Sequence, residues 1–567
     1  MRKVVFEWVQ RRTSVIFPAL LLMALCGAHY FPYLGSIPFF DKGEPREALA
    51  VQDIVQRGEW LVPLKRATDV PSKPPLFHWS AALVTLVTGS FTEATIRLPS
   101  ALYATLGVLL IYWLGRKIFD PRTALLGSAI LATMMIYQDQ ALSARVDMTL
   151  CFFVTLSLVN FFVLYRGYLK HPVWFYIFYA VLGIGTLAKG PLGVLLPALV
   201  AGSFALIERR WDLIRKFCFH PGVLLTILLG AGWYVIAVTR GGEGFFDRQI
   251  LQENLSRFVG GSGHNHPVYY YIPYLFLHTL PWSLFLPVVL WDLFKRGSYE
   301  NSDVVYLKLW FLVVLIFFSI SAGKRPVYLL PAYPALSLLL ANWFCTAASP
   351  GKGRLAIYRA ISTLAAGIGF LLLVITLGAL WNHDPGWFFA PIEGLLRAKD
   401  RANVVAVRNQ LEHFGWTFTL LLLAAALLWL SLGRLMWQGK MRGASLCLVI
   451  IALIQGTVGW SLVMPVIAER KSYQAFMAEV NRRVKPEDKL YTYGRFNSSP
   501  VVFYHGRVIE RLAQPIGSMA SKGGGGDTYI IMPARLSAAE NLPPLIKSEG
   551  TGPEGDAPLV LVQVDLP

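Results

Sequence analysis

Charge is scarce in this chain. Asp, Glu, Lys and Arg make up 15% of its 567 residues, against roughly 25% in a soluble globular protein. A single water-soluble domain is thereby excluded. So is a disordered chain, which needs low hydrophobicity, because 55% of the residues here are hydrophobic. Cysteine is sparse as well. The five (Cys26, Cys151, Cys218, Cys345 and Cys447) lie in or beside apolar stretches, with no CxxC pair and hence no disulfide framework. A phosphate loop ending in Gly-Lys-Ser/Thr is missing, which argues against ATP-driven transport. Acidic residues are outnumbered, 34 against 52 Lys and Arg, for a net charge of +18. No basic run interleaved with aromatics stands outside the apolar stretches, so the excess is assigned to cytoplasmic loops and not to nucleic-acid binding.

What the chain has in quantity is long apolar runs. They fall near 13–31, 98–115, 123–138, 148–165, 173–188, 191–207, 221–239, 273–294, 304–322, 327–346, 358–381, 416–437 and 444–466. The pattern predicts an all-α polytopic membrane protein of about thirteen spans. The basic stretch Met1 to Arg12 precedes the first run with no small-residue cleavage site, so that run is read as an uncleaved span. With the amino terminus in the cytoplasm, every inside segment then carries at least two positive charges, as the positive-inside bias requires. Counting the apolar segment 76–90 as a further span would invert every later loop, so it is read as an interfacial helix.

The same parity sends outside a long loop 32–97, the turn 139–147, Lys189, the loop 240–272, the turn 323–326, the loop 382–415 and everything from 467 onward. The expected organisation is a transmembrane region over 1–466 and an extracytoplasmic α/β domain over 467–567. In the first loop, Glu44 to Gly58 has helical spacing with Pro45 at its start. In the tail, Ser472–Val484 reads as an amphipathic helix, and Lys489–Tyr493, Val501–Tyr504, Tyr529–Met532 and Leu559–Val564 read as strands.

Polar chemistry concentrates on the outer side. Asp41, Glu44 and Arg46 follow the first span, and a carboxylate beside an arginine stays ionised and oriented, fit to act as a base or to grip a hydroxyl. Lys73 is held between prolines, with His78 close behind, and a fixed ammonium anchors phosphate well. Asp147 opens a span, where an acid is a functional candidate. Lys189 stands between two spans. Lys324 and Arg325 form an outer turn, with Tyr328 just inside the next span, suited to clamping a lipid phosphate. The loop 240–272 contributes Arg257. Its His264 and His266 with Glu253 are the sparse set that could hold a divalent metal; no metal site is assigned and no cofactor is required. Carboxylates beside phosphate-type cations at one membrane face imply transfer from a lipid-phosphate donor.

The order of these pieces resembles the membrane-embedded glycosyltransferases of the GT-C class, closest to the protein mannosyltransferase and aminoarabinose (lipid A) transferase branch. The resemblance rests on Glu44-Pro45-Arg46, Gly58-Glu59-Trp60-Leu61-Val62-Pro63, Ser72-Lys73-Pro74-Pro75-Leu76-Phe77-His78-Trp79, Arg97-Leu98-Pro99-Ser100-Ala101, Arg145-Val146-Asp147, Lys189-Gly190-Pro191, Pro281-Trp282 and Lys324-Arg325-Pro326. It runs from about residue 35 to 345, and more loosely into the tail. It implies a sugar moved, with inversion, from a polyprenyl-phosphate carrier such as undecaprenyl phosphate to a lipid A-like lipid, glycan or protein acceptor. The reaction would take place at the periplasmic face of a bacterial inner membrane. The family's acidic pair in the first loop aligns with Gly43-Glu44, so Glu44, or Asp41, is expected to take the catalytic role beside Asp147. Lys73, Lys189, Lys324 and Arg325 resemble the donor-phosphate contacts. The alternative is a transporter or flippase of a lipid-linked sugar, which would place polar groups at the membrane midplane. Here they cluster at one face.

Overall fold

A computed structural model of the chain describes residues 2–64, 73–247, 266–295, 301–346, 352–414, 416–512, 516, 527–549, 552 and 558–564. It is an array of membrane-type helices with one small sheet built from the tail. The first eight helices position the site. They are α1 (Arg2–Tyr30), α2 (Glu44–Arg57), α3 (Leu76–Thr88), α4 (Glu93–Ile118), α5 (Pro121–Thr133), α6 (Met135–Ala141), α7 (Val146–Tyr165) and α8 (Val173–Lys189).

Among the described residues nine helices are long and apolar enough to cross a membrane, or ten with one bent pair counted as a single span. The expected thirteen runs are therefore not thirteen unbroken helices. The run 123–138 breaks at Met134 into α5 and α6. The run 273–294 is bent by 118° between Val268–His278 and Trp282–Leu293. The runs 173–188 and 191–207 form helices of 17 and 16 residues, a little short of the ~20 needed to span ~30 Å of hydrocarbon. Apolar runs report burial, and a short or broken helix packed among others is as apolar as a full span.

The described residues of the first outer loop form a cap. The α2 helix starts at Glu44 because the Asp41 carboxylate accepts the backbone N–H groups of Gly43 and Glu44, both at 2.8 Å, and Pro45 supplies a first-turn φ. It stops at Gly58, which sits at φ 70°, a conformation that favours glycine. Residues beyond it fold back, with the Leu64 N–H on Asp53 at 2.8 Å and the Trp79 indole on the Trp60 carbonyl at 2.6 Å. The α4 helix opens on a reciprocal capping box between Thr92 and Thr95.

The tail forms a five-stranded sheet of β1 (Lys489–Tyr493), β2 (Glu510–Leu512), β3 (Thr528–Pro533), β4 (Ile546–Lys547) and β5 (Leu559–Gln563), in the order β2-β1-β3-β5-β4. β1 pairs parallel with β2 and β3, while β5 runs antiparallel to β3 and β4. Alternation sorts its two faces. Tyr529, Ile531, Leu559 and Leu561 face a core shared with Phe39, Leu49, Phe77 and Ile96 of the cap, and Ile530, Met532, Val560 and Val562 form the core of the opposite face. The expected strand Val501–Tyr504 is instead a helix, Ser499–His505. Pro500 in its first turn and Gly506 at φ 76° just past its end outweigh the β-branched pair Val501-Val502. The amphipathic helix is Gln474–Arg483.

Candidate active site

Five chain segments meet at one cleft. It is lined by Gly43, Arg46 and Glu47 of the α2 start, Lys73 before α3, Arg145, Val146 and Asp147 at the α7 start, Lys189 at the α8 end, and Arg325, Val327 and Tyr328. The empty space, open to solvent, is about 410 Å³. Five cations face two carboxylates. A lining so weighted is complementary to anions, and guanidinium and ammonium groups together suit a phosphate. Sequence reasoning named Arg46, Lys73, Asp147, Lys189, Arg325 and Tyr328 as site residues, and the fold brings all six together.

Asp147 lies in the first turn of α7, and its carboxylate is ion-paired with Lys189. The Lys189 ammonium also stands 4.4 Å from the centroid of the Tyr328 ring, a cation–π contact that fixes it from the other side. α8 delivers that lysine because it ends there: Gly190 adopts φ 76° and Pro191 follows. Arg46 pairs with Glu47 at 3.0 Å. Arg145 pairs with Asp41.

Several expected site residues stand elsewhere. Asp41 does not line the cleft. Its carboxylate caps α2 and holds Arg145 in place. Burial pushes its pKa up, but the Arg145 guanidinium and the N–H groups of Glu44 and Gly43 prevail, and the carboxyl is held below its ordinary value. A folded-state value below the unfolded one means that this pairing stabilises the fold at neutral pH, and the contribution is lost as pH falls through the folded value. Glu44, expected to be catalytic, is turned into the protein. Its two oxygens accept Arg97 Nε and Nη2 at 2.8 and 2.9 Å, and Oε1 also takes the Ala144 N–H at 2.8 Å. It is 4% exposed, and no face of it opens to the cleft.

Lys324 is corrected in the same way. Its ammonium donates to the carbonyls of His266, at 2.9 Å, and Ser321, and burial lowers its pKa. It ties the turn to residue 266, while its neighbour Arg325 faces the cleft. His78 is fully buried and stands behind Glu47, its Nε2 2.8 Å from Glu47 Oε2, so it does not meet a ligand directly. Arg257, Glu253 and His264 lie outside the described residues, and among the described residues no cluster of three His, Cys, Asp or Glu could hold a metal.

Two cleft residues escaped sequence reasoning, Glu47 and Arg145. The helical spacing of Glu44 and Glu47 put one of the pair in the protein and the other in the cleft, but which way round depends on Arg97, more than fifty residues away. Arg145 was visible only as a neighbour of Asp147.

A family model described as dolichyl-phosphate-mannose-protein mannosyltransferase matches residues 72–235. An undecaprenyl phosphate-alpha-4-amino-4-deoxy-L-arabinose arabinosyl transferase of Pseudomonas fluorescens is 31% identical over 364 residues, which are 62% of this chain and 64% of its own. The chain thus spans just under two thirds of the length of that relative. An uncharacterized protein of Aquifex aeolicus is 33% identical over 57% of this chain and 72% of its own. Among solved structures, ArnT from Cupriavidus metallidurans bound to undecaprenyl phosphate superimposes with a TM-score of 0.76 over 96% of this chain and 97% of that one, at 19% identity. The architecture is therefore shared over nearly the whole length, tail included.

Proposed function

The chain belongs to the membrane-embedded GT-C glycosyltransferases, in the protein mannosyltransferase and aminoarabinose transferase branch, and from that premise we propose that it moves a sugar from undecaprenyl phosphate to a lipid acceptor of the lipid A type. The observation that carries the reading is the cleft, where five cations and two carboxylates converge at the ends of α7 and α8. Lys73, Lys189 and Arg325 hold the donor phosphate. As the bond between sugar and phosphate breaks, negative charge grows on the departing phosphate, and cations already in place stabilise it without reorganising. Asp147, fixed by Lys189, orients the sugar or the acceptor. The polyprenyl tail runs down into the membrane between spans.

The Pseudomonas fluorescens relative is named as an arabinosyl transferase, which supports an enzyme over the transporter alternative. The orientation follows the charge pattern: amino terminus in the cytoplasm, cleft and tail domain on the periplasmic side of a bacterial inner membrane. Gly43, Arg46, Glu47 and Lys73 of the first outer loop border the cleft, which supports a lid role for that loop. No metal is assigned a part.

Purified protein in detergent, incubated with radiolabelled undecaprenyl-phosphate sugars and a crude membrane-lipid extract, tests this. Label moving to a new lipid with wild type, and lost with Asp147→Asn, is the expected result. Label that stays on every donor tried, while reconstituted vesicles translocate the carrier lipid, overturns it in favour of transport.

A further inference from the structure

The transferase reading leaves open which group activates the acceptor. We propose that Glu47 is the base that takes the acceptor's proton, that buried His78 positions it, and that the acceptor atom is a hydroxyl oxygen. The inference rests on the transferase reading above.

Three carboxylates stand at the start of α2, and their surroundings differ. Asp41 has one oxygen on two backbone N–H groups and the other on Arg145. Glu44 is clamped by Arg97 and the Ala144 N–H. Glu47 lines the cleft. It lies one helical turn beyond Gly43, its N–H donating to the Gly43 carbonyl at 3.2 Å. Helical side chains lean toward the amino terminus, so the Glu47 carboxylate reaches back over position 43. Glycine there leaves room for Arg145. A Cβ on Gly43 would stand 2.6 to 2.9 Å from the Arg145 guanidinium atoms, so Arg145 occupies the room a side chain at 43 would fill.

Arg46 holds Glu47 on Oε1 and His78 on Oε2. The His78 ring is fully buried, and its Nδ1 meets no protein partner. A proton on Nδ1 would strand a buried N–H and turn an Nε2 lone pair toward a carboxylate, at a cost of a few kcal/mol. A proton therefore sits on Nε2, which donates to Glu47.

Asp147 is the other cleft carboxylate, and it is held differently. Asp147 faces a buried ammonium, Lys189, with side chains only 11% and 9% exposed, so taking up a proton would forfeit a strong attraction. Glu47 faces the His78 ring and Arg46, whose side chain is 38% exposed, so that solvent screens the Arg46 attraction.

The step balances as follows. The acceptor O–H bond breaks and its proton passes to a Glu47 oxygen. The freed electron pair of the acceptor oxygen forms a bond to the anomeric carbon, and the bond from that carbon to the phosphate oxygen breaks on the opposite face. Its electron pair stays on undecaprenyl phosphate, facing Lys73, Lys189 and Arg325. An acceptor phosphate, already ionised, would need no base and would meet the Glu47 charge as a repulsion.

Full-length protein in detergent, with labelled undecaprenyl-phosphate sugar and the membrane-lipid extract, gives the test. Glu47→Gln should lower kcat by about 100-fold or more, the lower end of general-base effects, with the donor KM within about threefold and the acid limb of the kcat profile gone. His78→Gln, which keeps an N–H donor, should retain far more kcat than His78→Phe. The transferred sugar should survive mild acid that cleaves glycosyl phosphates. If Glu47→Gln is too unstable to purify, Glu47→Asp decides: a lowered kcat at unchanged donor KM supports the assignment, and an unchanged kcat overturns it. An active wild type with an indifferent Glu47→Gln, or a product that loses its sugar in mild acid, overturns this inference alone. A wild type inactive with every donor overturns the transferase reading, and this inference with it.

Discussion

Glu44 and Glu47 are one turn apart on the same helix, and they belong to two different regions. Behind α2 lies a brace. Glu44 is bonded to Arg97, whose Nη1 reaches the carbonyls of Leu34 and Ile37 at 2.9 and 2.6 Å and whose guanidinium carbon is 5.0 Å from the Phe39 ring centroid. In front lies the cleft, where Glu47 and Asp147 stand among five cations. The residue types are the same on both sides. Exposure does not separate them, since Glu44 and Glu47 are each 4% exposed; what separates them is that Glu47, like Asp147, lines the cleft, while both Glu44 oxygens are taken by Arg97. A buried, fully bonded carboxylate builds architecture, and an ionised carboxylate at the edge of an opening is available for chemistry.

The largest effect is expected from breaking the brace. Arg97→Met would leave Glu44 charged, buried and without its cation, at a cost of about 3–5 kcal/mol. Thermal unfolding in detergent should register it as a large drop, with most of it restored in Glu44→Leu combined with Arg97→Met. Restoration of turnover together with stability would also show that Glu44 is dispensable for chemistry. A single variant as stable as wild type would erase the contrast between the two regions.

Next comes the pair Lys324 and Arg325, adjacent in sequence, the first turned onto the carbonyls of His266 and Ser321 and the second facing the cleft. Arg325→Ala should weaken undecaprenyl phosphate binding by about 10- to 100-fold, the scale of one charge-assisted hydrogen bond. Lys324→Ala should leave that affinity within about threefold and act instead on the turn that it ties to residue 266. Binding of labelled carrier lipid measures both, and equal losses would refute the division.

The smallest effect is expected at Tyr504, whose hydroxyl accepts the Phe39 N–H at 2.8 Å and donates to Glu93 at 2.9 Å. Tyr504→Phe should cost about 1–2 kcal/mol of stability and leave the donor KM unchanged. A changed KM with unchanged stability would move the tail from support into the site.

Much of this was legible in the residues. The helix from Glu44 announced itself by Pro45 and Gly58, and six of the cleft residues stand in motifs whose composition already pointed to phosphate. What stayed hidden was direction. A sequence shows that Lys324 and Arg325 are both cations, but which one faces outward is settled by the carbonyls of Ser321 and His266. Likewise, nothing local to Glu44 reveals that Arg97 will claim it. The helix Ser499–His505 was mistaken for a strand because two valines spoke louder than the proline and glycine that bracket it.

The hydrogen bond from Phe39 to Tyr504 spans 465 positions of the chain. At cellular synthesis rates of ~5–20 residues per second, roughly 25 to 90 seconds separate the appearance of its two ends. The cap over the cleft thus spends that interval with Phe39, Leu49 and Phe77 still waiting for the sheet that covers them. Assembly of the outer face is timed by the last segment of the chain to be made, and an aborted chain lacking it would display an unfinished apolar surface, a mark by which quality control can tell a partial product from a finished one.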